Sequence, residues 1–319
     1  MNVNDEILKL DWKREPYGLY EPIEYTLAAG GKRVRPQLAL MACEMFGGRD
    51  EDVLPAALAL EVFHNFTLLH DDVMDKAELR RGRPTVHVKW NENTAILSGD
   101  QMLIEAYKLL AGVAEDKLSQ TLAMFNKMAT EICEGQQYDV DFESQEHVAI
   151  DEYLKMIRLK TSVLLATALQ TGAYIAGADL QAQQALYAFG IHIGLAFQIQ
   201  DDILDVWGDP ATFGKAVGGD ISCNKKTFVY LMAKQIAKDA GMHSLHDELE
   251  QWYSQIVEDN SEKIASVKAI YEQLGVREAC EKVVVDYTNK ALHILAELPQ
   301  NAATAQLRTI AEKLNRRTS

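Results

Sequence analysis

The chain has 319 residues, 48% apolar and 25% charged, which is ordinary for a globular protein and enough for one large core or two ordinary domains. A net charge of −15, from 32 basic and 47 acidic residues, argues against generic nucleic-acid binding, so any anionic ligand must be met by a local basic patch. Cys43, Cys133, Cys223 and Cys280 lack metal-type spacing and read as reduced thiols of a cytoplasmic protein; Met1 to Glu15 carries no signal-peptide apolar core, and the longest greasy stretch, Ala185 to Ile199, is too short for a transmembrane segment.

Proline organises the rest. None falls between Pro84 and Pro210, or between Pro210 and Pro299, and long proline-free tracts with apolar residues three to four apart predict long helices. In chain order, Gly30-Gly31-Lys32-Arg33-Val34-Arg35-Pro36 is a basic turn. A helix over about 53–79 follows, with Leu58, Val62, Phe66, Leu69 and Val73 on one face, and it ends at Asp71-Asp72-Val73-Met74-Asp75. The basic turn Arg80-Arg81-Gly82 comes next. Beyond a loop over 144–149, Met156, Leu159, Val163, Ala166, Leu169 and Ala173 make a second apolar face, with Lys160-Thr161 inside it. A third helix, over about 181–206, buries Ala185, Ala188, Phe189, Ile193, Ala196, Ile199 and Ile203 and ends at Asp201-Asp202-Ile203-Leu204-Asp205. The loop from Gly208 to Asn224 has the position of a lid, with Lys215 inside it and Lys225-Lys226 just beyond. From about Lys226 onward the chain reads as a more polar helical region packed on the outside. Period-two alternation is nearly absent and no linker tract divides the chain, so the reading is all-α, a bundle of long antiparallel helices forming one domain over 1–319.

The two aspartate clusters share the spelling DDxxD. Positions i and i+4 of a helix share a face about 6 Å apart along the axis, so Asp71 with Asp75, and Asp201 with Asp205, aim two carboxylates the same way. Like charges so placed repel, and a cation between them removes the cost. All-carboxylate ligation selects a hard divalent ion, Mg²⁺ first. If the two helices lie side by side, the clusters face each other across the mouth of the bundle, where such folds build ligand sites.

Four basic elements accompany them: the Gly30–Pro36 turn, Arg80-Arg81, Lys160, and the lysines around the 208–224 loop. Each alone also reads as a solvated turn or a snorkelling side chain. Two carboxylate pairs and several cations in an otherwise acidic chain suit a diphosphate bridged by Mg²⁺ and neutralised by Lys and Arg. With apolar helix faces below, the matching chemistry is ionisation of an allylic diphosphate, leaving a carbocation in a dry cavity.

The ordered set resembles the trans-polyprenyl diphosphate synthases, the head-to-tail class I isoprenyl synthases. It comprises Gly30 to Pro36, Leu68 to Asp75 with Arg80-Arg81-Gly82, Gly99-Asp100, Gly135-Gln136 with Asp139, Lys160-Thr161, Gln198 to Asp205, and Gly208 to Thr227. The resemblance implies an isoprenoid synthase fold, a homodimer and about three Mg²⁺ per active site. It implies Asp71, Asp75 and Asp201 as direct Mg²⁺ ligands, with Asp72, Asp202 and Asp205 in support. Arg80, Lys160 and Lys215 would hold the allylic diphosphate, lined by Thr161 and Gln198. Gly31, Lys32, Arg35, His64 and Arg81 would form the isopentenyl diphosphate pocket; from local sequence alone His64 reads as a core histidine. Lys225, and the terminal Arg316-Arg317, would close over the site. The implied reaction condenses isopentenyl diphosphate with a dimethylallyl, geranyl or farnesyl diphosphate by ionisation, condensation and elimination. Phe66, five residues before Asp71, with Phe63 and Thr67, would set product length, and the absence of an insertion in the first cluster favours geranylgeranyl (C20), with farnesyl (C15) the alternative. A terpene cyclase, a head-to-head synthase and a non-catalytic regulatory subunit fit less well, because both DDxxD clusters and the Gly30–Pro36 element are intact.

Overall fold

The computed structural model describes residues 2–209, 217–255, 257 and 259–315. It is almost wholly helical. The elements are α1 (Val3–Leu8), α2 (Tyr17–Leu27), α3 (Val34–Met45), α4 (Asp50–Met74), a two-stranded antiparallel ribbon β1 (Leu79–Arg80) and β2 (Arg83–Pro84), α5 (Val86–Lys89) and α6 (Glu92–Leu110). Then come α7 (Glu115–Ser144), α8 (Ile150–Ile157), a π-helical turn Arg158–Ser162, α9 (Val163–Ile175) and α10 (Leu180–Trp207). The remainder is α11 (Gly219–Ser222), α12 (Phe228–Asp239), α13 (His243–Tyr253), α14 (Ser261–Gln273), α15 (Val276–Ala296) and α16 (Ala302–Asn315). The residues group into two compact units, each discontinuous in sequence. One holds Met1–Lys127, Thr167–Tyr187 and Pro299–Thr304; the other holds Met128–Ala166, Ala188–Leu298 and Ala305–Ser319.

In the first unit α4 is the spine. Asp50, Glu51 and Asp52 fill its first turn, where carboxylates meet the positive end of the helix dipole. It buries residues from Val53 to Asp72 and packs against α3 and α6. Among the described residues α4 is also the one helix long and apolar enough to cross a bilayer, but most of that apolar window is buried inside the protein, as in a core helix. Its buried acid, Glu61, is matched by Arg33, whose Nη1 donates to it at 2.7 Å. A buried carboxylate without such a partner costs several kcal/mol.

In the second unit the predicted apolar face holds: Met156, Leu159, Val163 and Ala166 are all buried. The C-terminal part differs from expectation. Helix α12 is core, with Phe228, Val229, Tyr230, Leu231, Ala233 and Ala237 buried, and it packs on α8, α13 and α15. The polar residues that suggested an outer layer sit on the other faces of these amphipathic helices, and composition alone does not distinguish the two cases.

Candidate active site

The first cluster closes α4. Asp71 is half-buried and Asp75 exposed, one turn apart at the C-terminal end, where the helix dipole is negative and two more negative charges are unfavourable. Asp72 points the other way and is buried. Arg80, from β1, grips it: Nε donates to both carboxylate oxygens at 2.8 Å and Nη2 lies 2.7 Å from Oδ1. Burial pushes the Asp72 carboxyl up, against the pull of Arg80. Burial also acts to lower Arg80, but its bond to Asp72 and the charges of Asp72, Asp71 and Asp75 outweigh that and raise it. Arg80 therefore stands in the field of all three aspartates.

The residues predicted to hold isopentenyl diphosphate lie in the same unit. Gly31 has φ of +140°, and a Cβ there would come within 3.0 Å of the Arg81 guanidinium. Glycine is what lets Arg81 lie against that backbone, with its Nη1 donating to the Gly30 carbonyl. Burial pushes Arg35 down to about 10, Glu61 opposes this and Arg81 adds to it. The Nε of Arg35 is buried with no partner. Burial, then the charges of Arg35, Arg81, Arg80 and Arg33, drive His64 well below the ordinary imidazole range. His64 is thus a neutral donor or acceptor amid crowded cations, and an anion relieves that crowding. Lys32 is exposed and its carbonyl accepts from Gln37. Arg33, by contrast, is spent inward on Glu61, Asn4 and Leu27, so of the turn's three cations Lys32 is exposed and Arg35 lies deeper.

The residues proposed to set product length form an aromatic series. Phe63 packs on Phe66 and Phe125 with ring centroids 5.4 and 5.2 Å apart, and Phe66 packs on His70 at 4.8 Å. Phe63 is fully buried and Phe66 half-buried. Thr67 spends its hydroxyl on the His64 carbonyl at 2.8 Å. Gly99 makes room for the His70 ring, since a Cβ would meet Nε2 at 2.2 Å.

The second cluster ends α10 in the other unit. Asp201 is half-buried. Asp202 is buried and accepts from the Tyr153 hydroxyl at 2.6 Å, the Phe228 N–H at 3.1 Å and the Gln198 amide at 3.3 Å. Burial, with the charge of Asp220, pushes its carboxyl up to about 8 despite these donors. Asp205 turns to the following segment: its Oδ2 accepts from the Asp220 N–H at 3.0 Å and its carbonyl from the Gly218 N–H at 2.6 Å. Lys160 and Thr161 ride on the π-helical turn, whose looser winding is a frequent device at functional sites. Lys160 Nζ lies 2.6 Å from Asp139 Oδ2, and the Thr161 hydroxyl donates to Gln198 Oε1 at 3.3 Å. Gly135 and Gly194 clamp this turn: a Cβ on Gly135 would sit 2.3 Å from the Lys160 nitrogen, and one on Gly194 2.5 Å from Ser162. Lys225 is exposed, in a turn tied by its N–H to the Asp220 carbonyl at 2.9 Å. Lys215, Arg316 and Arg317 lie outside the described residues.

Among the described residues no three His, Cys, Asp or Glu side chains form a ready-made metal cage. Mg²⁺ takes one or two carboxylates and completes its shell with water and substrate phosphate. Asp71 and Asp75, one turn apart, are a carboxylate pair of the first unit, and Asp201 is a half-buried carboxylate of the second. Sequence reading missed Glu61, Tyr153 and the Phe228 amide. Glu61 was detectable, as an acid inside an apolar helix that demands a buried cation; Tyr153 and a backbone amide carry no such mark.

A family model described as polyprenyl synthetase matches residues 16–274. Geranylgeranyl diphosphate synthase of Methanosarcina mazei is 42% identical over 231 residues, 72% of this chain and 70% of that protein. A crystal structure of geranylgeranyl pyrophosphate synthase is similar with a TM-score of 0.92 and 46% identity, covering 100% of both chains. Another, from Corynebacterium glutamicum and complexed with isoprenyl diphosphate and magnesium, has a TM-score of 0.88 and 29% identity, over 99% of this chain and 97% of that one.

Proposed function

Because this chain belongs to the polyprenyl synthetase family and is a short-chain prenyltransferase, we propose that it condenses isopentenyl diphosphate with an allylic diphosphate to give geranylgeranyl diphosphate, with farnesyl diphosphate as a lesser product. The observation that supports the product length is the Phe63–Phe66–His70 aromatic series just before the first cluster, which would close the space below the diphosphate end.

Asp71, Asp75 and Asp201 would hold Mg²⁺, which when bound supplies positive charge to the departing diphosphate. Arg80, Lys160 and Lys215 bind and orient the allylic diphosphate. Gly31, Lys32, Arg35, His64 and Arg81 hold the diphosphate of the second substrate. Burial first, and the neighbouring cations after it, depress Arg35, Arg81 and His64; an arriving anion offsets the cationic part, which favours that assignment. The bond between the allylic carbon and its diphosphate oxygen breaks, the alkene attacks the cation, and a proton leaves with pyrophosphate as base. No Ser or Cys nucleophile is needed. We also take the protein as a cytoplasmic homodimer.

The test is incubation of pure protein with Mg²⁺, isopentenyl diphosphate and farnesyl diphosphate, with products sized by reversed-phase chromatography. A dominant C20 product is expected, and no chain elongation would sink the assignment. Phe66→Ala should lengthen the product; an unchanged length removes Phe66 as the floor.

A further inference from the structure

The second unit contains a chain of polar contacts that begins at a residue no part of the mechanism uses. Tyr153, on α8, is 4% exposed. Its hydroxyl donates 2.6 Å to Asp202 Oδ2, the shortest contact that carboxylate makes here. The same oxygen accepts from the Phe228 N–H, at the positive N-terminal end of α12. The other oxygen, Oδ1, accepts from Gln198 Nε2, one turn earlier on α10. Gln198 Oε1 in turn accepts from the Thr161 hydroxyl.

Direction matters in this chain. A side-chain amide can flip, exchanging its donor and acceptor ends, and its network decides which way it stands. Asp202 accepts from all three partners, and Gln198 turns its NH₂ toward it and its oxygen toward Thr161. One Gln198 N–H stays available as a donor, and the Thr161 oxygen keeps its lone pairs. Two donors from other elements, Tyr153 and Phe228, hold the Asp202 carboxylate in the plane that enforces this. Phe228 gives a backbone N–H fixed by the fold. Tyr153 gives the side-chain contact.

We propose that Tyr153 is a positioning residue for the allylic diphosphate: acting through Asp202, it sets the orientation of Gln198 and Thr161. This rests on the assignment of Gln198 and Thr161 to that site. Tyr153 touches neither substrate nor Lys160 in this scheme, so its effect is confined to one substrate.

Tyr153→Phe removes only the hydroxyl and keeps the ring against Phe228, 6.4 Å between centroids. The KM for the allylic diphosphate should rise about five- to tenfold, the worth of one mispositioned hydrogen bond, while that for isopentenyl diphosphate stays within about twofold. Gln198→Ala and Gln198→Ala/Tyr153→Phe should share one allylic KM within about twofold, because the second change has nothing left to act through. Equal shifts in both substrates, additive effects, or no shift at all would overturn the proposal. A second readout does not need turnover. In protein labelled with 15N-glutamine, the Gln198 side-chain signal, identified by its loss in Gln198→Ala, should move in Tyr153→Phe and in Asp202→Asn; a fixed signal in either variant refutes the link. Wild-type protein that elongates no substrate would defeat the functional assignment instead, and the Gln198 signal would still decide the positioning role.

Discussion

The two aspartate clusters are spelt alike, and their middle carboxylates are held by opposite means. Asp72 is neutralised by a full charge, the guanidinium of Arg80, which is itself about one-third exposed. Asp202 meets no cation among its described hydrogen-bond partners. It is held by a buried phenol, a buried backbone amide and the half-buried side-chain amide of Gln198. The last aspartates differ too: Asp75 is exposed at a helix end, whereas Asp205 reaches forward to fix the start of α11. Identical motifs therefore leave the inner carboxylates, and the last one too, to whatever the local fold supplies. A charge partner keeps Arg80 near solvent and in the field of Asp71 and Asp75; a dipole cage ties Asp202 into the core.

Substitutions can break this contrast, starting with the largest effect. Asp71→Ala and Asp201→Ala should each lower kcat/KM by about a thousandfold or more, since each removes a proposed metal ligand. Steady-state kinetics across a Mg²⁺ titration checks this; comparable activity at any Mg²⁺ concentration contradicts the ligand roles.

Stability should separate the inner pair. Asp202→Ala strands two buried donors and one half-buried one and should cost about 3 kcal/mol in urea unfolding. Asp72→Ala leaves Arg80 able to turn to water and should cost about 1 kcal/mol. Equal losses would show that the two carboxylates are held alike.

The smallest effect concerns pH, where the two units should respond with opposite sign. The folded Asp202 pKa, about 8, lies above the unfolded value near 3.8, so the folded state binds more protons between them. Its contribution is full below about 4 and is lost as pH rises toward 8. His64 is depressed below 6.5, so the unfolded state binds more protons there; its contribution is present above about 6.5 and is lost as pH falls through that value. Urea midpoints measured from pH 8 to pH 5 should flatten on the acid side in His64→Gln and across the middle range in Asp202→Asn. Unchanged profiles in both would mean that neither shift is real.

How legible this was depended on the kind of interaction. The helices were readable because proline-free tracts with three-to-four spacing leave few alternatives, and Met156, Leu159, Val163 and Ala166 are buried as that spacing requires. The aspartates and arginines stood out by charge. The ribbon over 79–84 was read only as a basic turn, since two residues per strand give no alternation to detect. The inward turn of Arg33 and the Tyr153 contact depend on which residues meet across distant segments. Neither has a sequence signal, although the acid at Glu61 hinted at the first.

The π-helical turn at Arg158–Ser162 has a consequence for phase. It carries one residue more than an α-helical turn would, and each residue is worth about 100° of rotation. Deleting a single residue from this stretch would restore an unbroken α-helix from Ile150 to Ile175 and swing its two halves about 100° against each other. The clamps at Gly135 and Gly194 would then close on the wrong atoms. In this protein the extra residue acts as an angular offset: it lets one helix present a continuous apolar stripe and still aim Lys160 and Thr161 at their partners.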